Sequence, residues 1–302
     1  MKQLIKYWGH YKMNNPFNLL GWIVLLSVLS FVFLTGCEPV QQQVNCPICE
    51  CPEVNPVVYE EKLLVHFIDV NQGDAALIQY GDTEMLIDCG TRGQGQNVVD
   101  FLEEHGVDTL EYLMISHPDF DHMSGCYSVL DQISTNTVIM NGEERDNSFY
   151  TEVMSLIDTE RVIIADPFDD WSIGPAQLNI LQANNHMDDV NMNSIIAQLT
   201  YGDTEVLFTG DCDHECEDLL LDKDIESDIL KVAHHGTKFA TAIDFLEKVK
   251  PEISIISVGK NSYGHPTQET LDRLSQEGSL VYRTDYDGTI TVEISKDGYQ
   301  VK

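Results

Sequence analysis

Basic residues are scarce in this 302-residue chain: 17 Lys and Arg stand against 50 Asp and Glu, a formal net charge of −33. Such a surface repels nucleic-acid phosphates unless a metal or a local basic strip reverses the field. The acidity also suits solubility or a salty habitat. Long apolar runs are scarcer still. The chain has one hydrophobic segment, Gly21–Leu34, whose 14 residues fall short of the roughly 20 that span a bilayer as a helix. A multi-helix channel is thereby excluded. No repeat of short fixed period recurs. Yet 43% hydrophobic and 22% charged residues are the proportions of an ordinary globular protein, and the length allows one large domain or two small ones.

What is present at the N-terminus is specific. Lys2, Lys6 and Lys12 precede the apolar segment, no acid occurs before Cys37, and the segment ends in Leu34-Thr35-Gly36-Cys37. This order resembles an export signal closed by a bacterial lipobox, in which the Cys is lipidated and becomes the mature N-terminus. An uncleaved signal anchor is the alternative, and Met13 is a second candidate start. Loss of those three lysines would take the net charge from −33 to −36. The reading divides the chain into a signal segment, 1–36, a flexible Cys- and Pro-containing tether, 37–61, and a folded domain, 62–302. The domain then faces outside the cytoplasm, held to the membrane by lipid or anchor. Within the tether, Cys46, Cys49 and Cys51 could hold a metal, but no further ligand pair follows at zinc-finger spacing. In an exported chain a disulfide is the simpler use. Cys212 and Cys216, four apart at the start of a helix, either bridge or pack.

From Lys62 onward short β-rich segments alternate with amphipathic helices. Strands are expected at 62–70, 75–80, 84–88, 110–116, 137–141 and 161–165. In the second half they are expected at 178–183, 194–201, 205–209, 229–232 and 253–258. Helices are expected at 97–105, stopped by Gly106, and near 149–158, 243–248 and 267–276. A closing hairpin, 280–283 with 289–294, would turn at Asp287-Gly288. Two β-then-α halves imply two sheets between helix layers, an α/β sandwich.

The chemistry gathers where strands end. His117, Asp119, Asp121 and His122 fall within six residues, directly after the apolar run Leu110–Ser116. Loops at strand ends project functional groups from a rigid scaffold. Two imidazoles and two carboxylates at this spacing suit a pair of metal ions a few ångströms apart. Asp211 follows Leu207-Phe208-Thr209-Gly210, His234 and His235 follow Leu230-Lys-Val-Ala, and His265 follows the run Ile255–Gly259. Any one of these could be a capped turn or a surface histidine. Together they point to one site.

In order, His-x-Asp-x-Asp-His, Thr-Gly-Asp, His-His-Gly and Tyr-Gly-His-Pro resemble the metallo-β-lactamase superfamily. More narrowly they resemble the hydrolase domain of ComEC-type DNA-uptake proteins, to which Phe67–Ala75, Asn191–Ser194 and Tyr282–Thr289 also match. The resemblance runs from about Lys62 to the C-terminus. It implies a four-layer αββα sandwich with two mixed sheets, and a dinuclear site holding Zn²⁺ or Mn²⁺. His117 and Asp119 look like ligands of one ion, and Asp121, His122 and His235 like ligands of the other, with Asp211 as the bridge. Sequence does not decide between His234 and His235 as ligand. Asp121, His234 and His265 are the candidates for catalysis, the two histidines by protonating a leaving group or contacting phosphate. Asp69, Asp74, Asn191 and Asn193 would support the ligands from behind. Most of the superfamily has His at the positions of Asp119 and of Asn191 or Asn193; oxygen donors there shift preference toward harder ions such as Mn²⁺. Of the scarce cations, Lys238, Lys260 and Arg283 sit in this half, and Lys260 or Arg283 would face a substrate anion. The expected activity is a metal-dependent phosphodiesterase or nuclease acting on a phosphodiester or other small anion, with long nucleic acid disfavoured by charge. Hydrolysis of a small ester, thioester or lactone is the alternative, and a surface binding module with a vestigial site is a third.

Overall fold

The structure, a computed structural model, describes residues 62–302. The signal segment, the tether, Cys37 and the Cys46–Cys51 cluster lie outside the described residues. Among the described residues no helix is long and apolar enough to cross a membrane.

In the first half of the domain the strands are β1 (Leu63–Phe67), β2 (Ala76–Tyr80), β3 (Thr83–Ile87), β4 (Thr109–Ile115), β5 (Ser134–Met140) and β6 (Val162–Ile164). There follow β7 (Asp170–Ile173), β8 (Ala176–Gln182), β9 (Ile196–Tyr201), β10 (Thr204–Phe208), β11 (Ile229–Lys231), β12 (Ile253–Ile256) and β13 (Leu280–Arg283). The chain closes with β14 (Ile290–Ser295) and β15 (Gly298–Val301). They form an eight-stranded sheet, β15-β14-β1-β2-β3-β4-β5-β6, and a seven-stranded sheet, β13-β12-β11-β10-β9-β8-β7. Both are mixed, and the fold is the four-layer αββα sandwich. Between the sheets Val65, Ile78 and Met85 meet Leu178, Leu199, Val206 and Ile255, and the rings of Phe67 and Phe208 stack at 5.9 Å. Outside the first sheet, Leu77, Leu86 and Leu113 pack on Val98, Val99 and Leu102 of the helix Gly95–Glu104. Outside the second, Leu207, Leu230 and Ile256 pack on Phe245 and Leu246 of one helix and Leu274 of another. Burial on both faces explains why the central strands read as near-continuous apolar runs rather than alternating ones.

Helix ends follow local chemistry. The helix Gln268–Glu277 begins at Thr267, whose hydroxyl accepts from the Thr270 amide, and ends at Gly278 in the left-handed region. Two disulfides brace the domain, Cys89–Cys126 and Cys212–Cys216. Of the two uses open to Cys212 and Cys216, the bridge is the one found.

Two expectations require correction. Segments 280–283 and 289–294 are not a hairpin. β13 runs parallel to β12, with Ile253 opposite Leu280, whereas β14 pairs antiparallel with β1, with Phe67 opposite Ile290. A helical turn, Thr284–Asp287, carries the chain from one sheet to the other, so Asp287-Gly288 is a crossing between sheets. The true hairpin is β14–β15. Strand β7 is absent from the expected set because it is four residues of edge strand alternating exposed and buried, with polar Asp170 and Ser172 outward.

Neighbouring strands β3, β4 and β5 run parallel, as do β10, β11 and β12. Their carboxyl ends therefore empty onto one edge of each sheet. The two edges adjoin there: the Ile195 amide donates to the Ser116 carbonyl, 2.9 Å. The candidate ligands hang from that edge.

Candidate metal centre

The centre begins with a buried aspartate. Asp88, directly after β3, is 1% exposed and lies in the left-handed region at φ 57°. Its carboxylate accepts from the Ser116 amide at 2.8 Å and the Ser116 hydroxyl at 2.6 Å. The same carboxylate lies 2.8 Å from His122 Nδ1. A carboxylate accepts only, so Nδ1 carries the hydrogen and Nε2 is the free nitrogen of His122. His235 is held likewise. Its Nδ1 lies 2.9 Å from the Ser257 carbonyl oxygen and 3.3 Å from Asp74, which leaves Nε2 free. Asp74 is itself buried and paired with buried Lys231 at 2.6 Å. Such a support fixes ring orientation and raises donor strength.

The freed atoms converge without satisfying one another. His122 Nε2 is 3.2 Å from Asp211 Oδ1, and His235 Nε2 is 3.2 Å from Asp121 Oδ2 and 3.7 Å from Asp211 Oδ2. Nevertheless the Nε2 atoms of His117, His122 and His235 and Oδ1 of Asp211 are buried with no partner in hydrogen-bond geometry. Unpaired buried polar atoms are costly and call for a reason. Among the described residues three sets bring their donor atoms within 4.8 Å of one another: His117, His122 and Asp211; Asp121, His122 and His235; and, on the supporting side of the His122 ring, Asp74, Asp88 and His122. Imidazole nitrogens and carboxylate oxygens held so fit divalent metal ions, and Asp121, Asp211 and His235 open onto a cavity of ≈ 150 Å³.

Close backbone approaches require particular residues. A Cβ on Gly73, at φ +130°, would stand 2.4 Å from the Asp121 carbonyl oxygen. One on Gly210, at φ +50°, would stand 2.9 Å from the Ser194 side chain. His234 and His235 both take positive φ, 49° and 54°. Non-glycine residues in that region cost on the order of 1 kcal/mol or more each and gather at functional sites. The turn swings the two rings apart. His235 is buried, while His234 faces the cavity with Nε2 3.7 Å from Asp211. His265 and Tyr263 complete that wall, their rings stacked at 5.6 Å.

The remaining expected residues separate clearly. Asp119 lines the cavity, its Oδ1 3.1 Å from Arg145. Asn191 also lines it, with Oδ1 unpartnered. Asn193 does not: its side chain clasps Glu143 and the Met187 backbone and so ties two loops together. Asp69 is a correction, because it is exposed and its carboxylate accepts from the Asn71 amide, closing a local turn instead of reaching a ligand. Arg283 is another. Asp285 takes its guanidinium through two bonds, 2.9 and 2.7 Å, and the group lies over the Tyr286 ring. Lys260 and Lys238 are exposed. Asp88, Lys231, Gln72 and Arg145 join the site without having been expected from sequence. Asp88 obeys the rule that found Asp211, an acid after an apolar strand. Lys231 gives no signal, because a lysine inside a strand reads as a solvated face.

Charge in the metal-free centre is balanced by protons. Burial alone would lower the pKa of His235, but Asp211, Asp121 and Asp74 outweigh it and push it up to about 10. His122 likewise rises well above its ordinary value against burial, through Asp211 and Asp88. His117 falls to about 3, through burial and the neighbouring His122. Asp211 is held well below the carboxylate range: burial opposes this, and His122 and His235 prevail. A raised histidine stabilises the fold fully below its unfolded value near 6.5 and loses that contribution as pH rises through about 10. The melting temperature of the metal-free protein should therefore fall from pH 6.5 to 10, and saturating Mn²⁺ should remove the fall. A metal-free melting temperature that rises across this window would contradict the charge balance.

The profile of the metallo-beta-lactamase superfamily matches residues 68–260. Among curated proteins, the chain is 26% identical over 257 residues to Competence protein ComA of Neisseria gonorrhoeae, covering 83% of this chain and 35% of that protein. It is 28% identical over 254 residues to ComE operon protein 3 of Bacillus subtilis, covering 75% and 32%. It thus spans about a third of the length of these relatives. Among solved structures, the metallo-beta-lactamase fold protein YhfI of Bacillus subtilis superposes with a TM-score of 0.54 at 14% identity, covering 76% of this chain and 99% of that one. CmlA, a diiron β-hydroxylase from Streptomyces venezuelae, does so at 0.54 and 12%, covering 78% and 54%. With strand order, strand-end donors and profile in agreement, the chain belongs to the metallo-β-lactamase superfamily, and within it is similar to the ComEC-type competence proteins.

Proposed function

We propose that this chain is an exported, membrane-tethered phosphodiesterase or nuclease that works with two divalent ions, Zn²⁺ or Mn²⁺. The observation that carries the reading is the set of buried, unpartnered atoms, Nε2 of His117, His122 and His235 and Oδ1 of Asp211, gathered where His235 and Asp211 line one cavity. Two bound ions would supply an acidified water and polarise a phosphoryl oxygen. His117, Asp119, Asp121, His122, Asp211 and His235 would hold them, with Asp211 turning Oδ1 to His122 at 3.2 Å and Oδ2 to His235 at 3.7 Å. His235 takes the ligand role, since its support by Ser257 and Asp74 leaves only Nε2 to give. His234 and His265 then stand on the open wall as proton donors to a leaving oxygen, each with a buried Nδ1 lacking a partner. The likeness to competence proteins favours a phosphodiester, and the charge of −33 favours a short or small one over a long polyanion. Export accords with the two disulfides, which persist in oxidising surroundings.

Two experiments test this. The full chain with Mn²⁺ should hydrolyse bis(p-nitrophenyl) phosphate, and chelation should abolish the rate. Faster turnover of p-nitrophenyl acetate, with the phosphodiester untouched, would put an acyl hydrolase in its place. For the tether, a radiolabelled fatty acid should mark the wild type in cells and leave Cys37→Ala unmarked. Equal labelling of both, or of neither, would show another attachment.

A further inference from the structure

Arg145 stands apart among the scarce cations, because its partner is a wall of the cavity. The loop that carries it, 141–147 after β5, is fixed at both ends. The side-chain amide of buried Asn141 donates to the Asn193 carbonyl at 2.9 Å, and Asn147 caps the next helix by accepting from the Tyr150 amide at 2.9 Å. Between them Glu143 is clasped by Asn193. The guanidinium is thereby delivered to Asp119, Nη2 to Oδ1 at 3.1 Å. Both side chains are partly exposed, 39% and 30%, and a pair so wet adds little to folding. Its position has to be explained by the cavity.

The cavity supplies the reason. Asp119 shares it with Asp121 and Asp211, so three carboxylates crowd one space. Unopposed, Asp119 would turn outward to water. Arg145 takes one oxygen and, among the described residues, the other has no hydrogen bond. A carboxylate has lone pairs enough to serve a guanidinium and a metal at once. We infer that Arg145 is the positioning residue for Asp119, holding its carboxylate on the cavity wall so that the second oxygen is offered to one divalent ion. The inference rests on the two-ion reading above but not on any substrate.

The test is a calorimetric titration of Mn²⁺ into the full chain, purified in mild detergent and stripped by a chelator. Wild type, Arg145→Ala, Arg145→Gln, Asp119→Asn and the Arg145→Ala/Asp119→Asn pair are compared. Arg145→Ala and Arg145→Gln should each weaken one of two ions about 10- to 100-fold and leave the other unchanged. Asp119→Asn should weaken the same ion, and the double variant should bind no worse than Asp119→Asn alone, because both changes remove one contact. Metal-free melting temperatures should match wild type within a few degrees, as expected for so exposed a pair. Unchanged affinities in both Arg145 variants, or losses that add in the double variant, would overturn the role of Arg145 while leaving two ions in place. A wild type that binds a single ion would instead contradict the two-ion reading, and this role with it.

Discussion

Buried negative charge is the constraint around which this molecule is arranged. Asp74, Asp88 and Asp211 are each 5% exposed or less, and Asp121 lies among them. Carboxylates stay ionised inside a protein only if positive charge and hydrogen bonds repay the lost water. Here the compensation comes in layers. Lys231 neutralises Asp74 from behind, Ser116 and the His122 ring satisfy Asp88, and raised histidines face Asp211. Removing one partner would strand a buried charge, at a cost of several kcal/mol. Divalent ions, in place of those protons, would complete the same balance. Packing and chemistry are therefore not separable at this edge, since the groups that join the two sheets are the groups that orient the ligands.

Much of this is legible in the order of residues alone. Apolar runs ending in His, Asp or Gly mark β4, β10 and β11, and their parallel pairing gathers the ends on one side. What stays hidden is long-range. Asp88 looks like the tail of a strand until His122, 34 residues away, is placed against it. Lys231 looks like a surface lysine until a second sheet covers it. Cys89 and Cys126, 37 residues apart, carry no local cue to pair. The final strands mislead for a related reason. A Gly after an acid reads as a hairpin turn, and only the competing pairings of β12 and β1 show that the flanking strands enter different sheets.

Both disulfides begin one residue past a buried aspartate: Cys89 follows Asp88 and Cys212 follows Asp211. Each pins the backbone of a loop that holds the centre. This placement links redox surroundings to site geometry and joins the proposed export to the proposed chemistry. The match to the competence proteins takes in three quarters or more of this chain and about a third of theirs.

In the proposed function two divalent ions are held here, with Asp211 offering one carboxylate oxygen toward His122 and the other toward His235. Elemental analysis after reconstitution with Mn²⁺ or Zn²⁺, on wild type and Asp211→Asn together, measures it directly. Two ions per chain are expected in wild type and one in the variant, which keeps its shape but loses a charge that separates two dications. Phosphodiester hydrolysis should fall with the lost ion by at least ~100-fold, about 2.7 kcal/mol in the barrier. Trace metal in wild type, or a variant that retains both ions and a near-normal rate, would contradict the account.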